Sequence, residues 1–256
     1  MMQYFKNLPA RGLARQVAGL ALLVLGLVVL SSKANAAILT GCPAGPGDTV
    51  IMAGCDATGV APGTQIAYKK IPFVSTLGTT SGFVVSAVYR ETGTNTLDFY
   101  YQVLTNVSSP NCGPGSTAPG TPCDPLSRET DTNFATWLTN LGFRTDGGTL
   151  AGFVNGTVQP QTGDRNTAPA DVIGFQFNGA PNPSPIPPGQ NSMVLIISTN
   201  AFNFAAGNAS VIDGGTTTVA SYQPSSATPE PASIALLGLG LVALGGLSRR
   251  IKHRRV

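Results

Sequence analysis

Hydrophobic positions follow two different rhythms along this chain. Near the ends they run together, from Val17 to Leu30 and again from Ala232 to Leu247. Between those runs they alternate. Gly82 to Arg90 sets Phe83, Val85, Ala87 and Tyr89 on one face, and Thr96 to Asn106 sets Leu97, Phe99, Tyr101 and Val103 against Asp98, Tyr100 and Gln102. Period-two patterning of this kind predicts half-buried antiparallel strands. Glu91-Thr92-Gly93-Thr94-Asn95 between them reads as a hairpin loop containing glycine. Leu150 to Val158, Asp171 to Phe177, Ser192 to Thr199 and Thr216 to Tyr222 are further candidate strands, with the continuous apolar run Met193 to Ile197 the best candidate for a central one. Phe134, Trp137, Leu138 and Leu141 follow helical spacing behind a cap at Asp131 or Thr132, and fit two helical turns or an irregular strand equally well. About eight strands at short intervals, with abundant Gly, Pro, Ser, Thr and Asn, predict an all-β ectodomain. The expected form is a β-sandwich, jelly-roll or Ig-like, rather than a barrel.

The apolar run at the N-terminal end has basic residues before it (Lys6, Arg11, Arg15) and Ala34-Asn35-Ala36 behind it. That is the layout of a secretory signal peptide over residues 1–36, with Ala36 the last residue removed. The run is shorter than the ~20 residues a spanning helix needs. Leu39-Thr40-Gly41-Cys42 has the form of a lipobox, but Lys33 and Asn35 separate it from the apolar run. Lipidating Cys42 would also leave an odd number of thiols.

At the other end, Ala232 to Leu247 would make a helix ~24 Å long at 1.5 Å per residue, short of a ~30 Å hydrocarbon core. Gly238, Gly240, Gly245 and Gly246 weaken it further. It reads as a marginal anchor. The five Lys/Arg residues behind it (Arg249, Arg250, Lys252, Arg254, Arg255) hold the tail in the cytoplasm by the positive-inside rule. Both ends therefore predict export of what lies between them by the Sec machinery and signal peptidase.

Pro229-Glu230-Pro231, followed by a glycine-rich apolar helix and an arginine cluster, resembles the PEP-CTERM sorting signal of Gram-negative-type bacteria. The resemblance covers about the last 29 residues. It implies recognition by a membrane-embedded exosortase, a cysteine transpeptidase that cuts at or near the motif and releases the protein or transfers it to the surface. Proline fixes φ and disfavours helix in the residue before it, which keeps such a motif extended outside the bilayer. Within the ectodomain, TLDFYYQVLTN, DVIGFQF, PPGQNSMVLIISTNAFNF and VIDGGT resemble β-rich ectodomains found upstream of this signal, which generally have no assigned activity.

Charge sharpens this picture. The basic residues cluster in the two end segments; Ala37 to Thr228 holds six Lys/Arg against eleven Asp/Glu, a net charge of −5. Nothing in that distribution supports nucleic-acid binding. The four cysteines permit three connectivities. Proximity and an oxidising compartment favour Cys42 with Cys55 and Cys112 with Cys123, each closing a short loop worth ~3 kcal/mol.

The single histidine, His253, lies in the basic tail, so the ectodomain has no Ser-His-Asp or Cys-His apparatus and lacks the commonest zinc ligand. No metal or cofactor is expected. Carboxylates remain: Asp124, Glu129 and Asp131, with Arg128 among them, read as a solvated turn, less well as a glycosidase pair or a loose Ca²⁺ site. Trp137 with Tyr100 and Tyr101 reads as core, or alternatively as an aromatic platform for sugar. The expected organisation is a signal peptide (1–36), an ectodomain (37–222), a linker with the Pro-Glu-Pro motif (223–231), and a sorting helix with a basic tail (232–256). Three readings of function stand: a non-enzymatic surface or matrix protein associated with exopolysaccharide and biofilm, a carbohydrate-binding sandwich, and a carboxylate-based glycan hydrolase.

Overall fold

The computed structural model describes residues 42–76, 78, 80–106, 125–178 and 185–226. The signal-peptide residues Ala34 and Ala36, the Cys112/Cys123 pair, Asp124, Pro229-Glu230-Pro231 and the apolar segment behind it lie outside the described residues. Among those described, eleven strands occur: β1 (Thr49–Ile51), β2 (Thr64–Val74), β3 (Ser81–Arg90), β4 (Leu97–Thr105), β5 (Arg128–Asp131), β6 (Thr139–Arg144), β7 (Thr162–Arg165), β8 (Ile173–Gln176), β9 (Val194–Thr199), β10 (Asn203–Ile212) and β11 (Thr216–Ser225). They form a six-stranded sheet in the order β1-β7-β8-β5-β10-β11 and a five-stranded sheet in the order β2-β3-β4-β9-β6. Every pairing between these strands is antiparallel.

Both sheets contribute to one apolar core. Phe99, Tyr101 and Val103 of β4 and Leu195 and Ile197 of β9 meet Ile173 and Phe175 of β8 and Val211 of β10. Phe99 packs edge-on against Phe134, with ring centroids 5.6 Å apart; truncating such a buried ring to Ala typically costs about 3–5 kcal/mol. The alternation in β3 and β4 places side chains on the faces the pattern predicts, but neither face is open to water. Val85, Ala87, Tyr89, Tyr100, Val194 and Ile196 form a second apolar cluster on the outer face of the five-stranded sheet, roofed by Ala57, Leu150 and Phe153. These strands are buried on both sides rather than half-buried.

The roof explains one misread stretch. Leu150 to Val158 forms no strand: a helical turn at Gly147–Thr149 leads into it, and only Val158 makes an isolated bridge, to Ser192. Its apolar residues cover the sheet instead of joining it. The ambiguous Phe134–Leu141 stretch resolves into a turn followed by β6, with Phe134 and Leu141 buried and Leu138 70% exposed. β11 runs to Ser225, paired with Asn203, so strand continues into the stretch read as linker.

The β6 edge is closed by the N-terminal segment. Leu141 N donates to Cys42 O at 2.9 Å, Phe143 N to Cys55 O at 3.1 Å, and Ala57 N to Phe143 O at 2.8 Å. Cys42 and Cys55 are disulfide-bonded, as the spacing predicts, and β1 between them extends the opposite sheet by pairing with β7. Arg165 of β7, buried, ties the same end together. Its guanidinium donates to the carbonyls of Phe134 (2.6 Å), Ala170 (2.8 Å) and Trp137 (2.9 Å). In the β3–β4 loop, Gly93 has φ +101°, a region side-chain-bearing residues rarely occupy.

Candidate functional site

Two acidic centres emerge, and neither is a solvated turn. The first lies between the sheets. In β5 the two-residue period points Arg128 and Thr130 outward and Glu129 and Asp131 inward. Glu129 lies beside Phe175 and Val211, and Asp131 beside Ile173 and Ala209. The two acids are 0% and 1% exposed. Arg128 turns to the outer face, where its guanidinium holds Asp164 in a bidentate pair, both bonds 2.6 Å. Gly174 makes the room for it: a Cβ there would sit 2.0 Å from the Arg128 guanidinium.

The carboxyl oxygens of Glu129 and Asp131 accept no hydrogen bond from a fixed N–H or O–H donor. The two groups face each other and the Tyr101 hydroxyl, which is itself donated to Tyr222 O at 2.7 Å. Burying unpaired charge is costly, so such groups neutralise instead. Burial drives both carboxyl pKa values up, Asp131 also through the charge of Glu129, while the Arg128 charge opposes the rise at Glu129. Tyr101 is pushed up as well, by burial and then by the two acids. A proton shared between the carboxyls fits this environment. Substrate contact does not, since neither acid reaches solvent.

The second centre is a polar row across the outer face of the five-stranded sheet. Cross-strand register aligns Gln65, Tyr89, Asp98, Ser198 and Asn140 on β2, β3, β4, β9 and β6. Asp98, Ser198 and Asn140 are 4%, 1% and 7% exposed. Asp98 meets Glu91 from the β3–β4 loop. Burial first, then the hydrogen bond and charge of Glu91, push its pKa well up, while Ser198 opposes. Nearby, Arg144 pairs with Asp146 at 2.9 Å and interacts with Tyr100. The sequence pattern marks Asp98 only as an outward position; what it does not reveal is that loops bury this face.

The aromatic residues do not assemble. Tyr100 and Tyr101 are successive strand residues on opposite faces, and Trp137 sits half-buried in the turn before β6. No group of three or more His, Cys, Asp or Glu side chains gathers among the described residues, and no helix among them is long and apolar enough to cross a membrane.

The chain leaves this body through β11. Three residues, Ser226-Ala227-Thr228, separate the end of that strand from Pro229-Glu230-Pro231. The family model described as the PEP-CTERM protein-sorting motif matches residues 227–250. The chain carries a PEP-CTERM sorting signal. That signal marks an exported, surface-targeted protein and implies an exosortase as the kind of partner that processes it. No curated protein and no solved structure matches the chain.

Proposed function

We propose that the two sheets form a β-sandwich ectodomain of a non-enzymatic surface or matrix protein. In this reading an exosortase trims the chain at or near Pro229-Glu230-Pro231 after a membrane-anchored intermediate, and the released or attached body associates with exopolysaccharide in a biofilm. The observation that carries the reading is the sorting motif at residues 227–250, set immediately behind the last strand.

The outer face of the six-stranded sheet favours contact with neutral glycan. Register places Thr49, Asp164, Gly174, Thr130, Ser210 and Thr218 in one row across its six strands. Asp164 on that row is neutralised by its ion pair with Arg128. Thr49 and Thr218 on that row are exposed and Thr130 half-buried, so it presents hydroxyls to solvent, groups that hydrogen-bond sugar without needing charge. The carbohydrate-binding reading differs only in making that contact specific.

Mass spectrometry of the surface-extracted protein tests the proposal. It should show a new N-terminus after Ala36 and a C-terminus near Pro229. Co-purification with extracellular polymer should disappear when Thr49, Thr130 and Thr218 are replaced by Val. A full-length cytosolic chain would overturn export. A correctly trimmed chain with no affinity for polymer would overturn the matrix role alone.

A further inference from the structure

We propose that one end of the folded body seats on a phospholipid surface while the sorting segment is still attached, with Leu138 and Phe202 as apolar anchors and Trp137 beside them. The inference rests on the membrane-anchored intermediate proposed above. Strand register defines the end in question. Ser225 of β11 pairs with Asn203 of β10, Arg90 of β3 with Thr64 of β2 and Leu97 of β4, and Thr139 of β6 with Thr199 of β9. The loop 133–138 crosses from one sheet to the other here. The Asn133 side-chain amide donates to Gln223 Oε1 on β11, and Leu138 N donates at 3.0 Å to Asn200 Oδ1, in the turn between β9 and β10. The Arg90 guanidinium reaches the same turn and donates to Phe202 O at 3.2 Å.

The backbone at this end is held in an unusual shape. Asn133 and Thr136 have φ of +69° and +72°, a region a β-branched residue such as threonine rarely occupies. Buried Arg165 fixes the loop there through the Phe134 and Trp137 carbonyls. Strain of this kind persists where the surroundings over-determine it, and it clusters at functional surfaces. Here it leaves Leu138 70% and Phe202 40% exposed, either side of Asn200, with Trp137 half-buried next to Leu138. The occupant follows from where the chain leaves. Six residues separate Ser225 from Ala232, the first residue of the apolar segment, and that stretch of chain reaches at most about 25 Å. β11 itself has ten residues, a length of about 34 Å. Ser225 is therefore tethered closer to the bilayer than the strand is long, and the end that carries it is the one brought to the surface. Tryptophan favours that headgroup zone, where its ring is covered and its N–H stays wet. Residues 37–228 carry a net charge of −5, so the attraction is apolar and zwitterionic lipid is the surface it fits.

Trp137 is the only tryptophan of the chain and so reports on this end alone. The exported precursor, Ala37 to Val256, inserted through its sorting segment into phosphatidylcholine vesicles, should lose Trp137 fluorescence when the lipid acyl chains are brominated. The loss should vanish in the double variant Leu138→Ser, Phe202→Ser. It should persist in Val74→Ser, because Val74, 64% exposed, lies at the opposite end beside Thr217. Circular dichroism should show both variants folded, since all three side chains are exposed. Flotation separates this inference from the reading beneath it. A precursor that does not float with the vesicles overturns the anchored intermediate and this orientation together. A precursor that floats with Trp137 unquenched, or quenched equally in the double variant, overturns the contact surface alone.

Discussion

The Tyr101 hydroxyl reaches from the five-stranded sheet to the six-stranded one and donates to the backbone carbonyl of Tyr222 at 2.7 Å. It is a polar strut between the sheets, and it ends beside Asp131. Replacing it with Phe keeps the ring but strands a buried carbonyl, a loss of about 1–3 kcal/mol. Urea denaturation of Tyr101→Phe should show a lower midpoint with an unchanged slope.

The buried acid pair sets the sign of the pH dependence. Glu129 and Asp131 have raised folded-state pKa values, so the folded protein binds more protons than the unfolded chain once pH exceeds the ordinary carboxyl range, about 4. Stability from the pair is complete below that point and falls as pH rises toward the raised values. Asp98 acts in the same direction; Asp146, held low by Arg144, acts oppositely below pH 4. Thermal melts should therefore give a higher Tm at pH 5 than at pH 8.5. The double change Glu129→Gln, Asp131→Asn should shrink that difference; an equal or larger gap in the double variant would contradict this account.

The Cys42–Cys55 bond closes a 13-residue separation and holds both cysteine carbonyls on the β6 edge. Cys42→Ser with Cys55→Ser should cost about 3 kcal/mol from loop entropy. It should also free the Leu141 and Phe143 amides, an open edge being a template for aggregation. Light scattering during a thermal ramp should rise earlier in the double variant than in the wild type.

Substituting Pro229-Glu230-Pro231 by Ala-Ala-Ala should leave the folded body intact and block processing. The chain should then accumulate in the membrane fraction at its untrimmed mass, measurable by fractionation and mass spectrometry.

What the sequence reveals of this fold depends on who covers each strand. β3, β4 and β9 carry enough apolar residues to be read directly. β2 escaped because Lys69, Lys70 and Pro72 break its alternation, features that an edge strand tolerates and even favours. β10 escaped because Ala205, Ala206, Gly207 and Ala209 are small, and their packing comes from the neighbouring sheet. The segment Arg128–Asp131 looked solvated because four polar residues in a row ordinarily are. Only pairing with β8 and β10 turns two of them inward. The Glu91–Asp98 centre was invisible because it depends on register across three strands, which no local pattern encodes.

β11 stops three residues short of Pro229, a spacer that reaches about 11 Å at full extension. If the motif is cut as proposed, so short a leash would hold the folded body close to the enzyme that grips it and limit how large a partner reaches the scissile bond. Any polymer grafted onto the severed end would emerge at the rim of β11, alongside the hydroxyl-bearing face it shares with β10. Lengthening that spacer would separate attachment from adhesion.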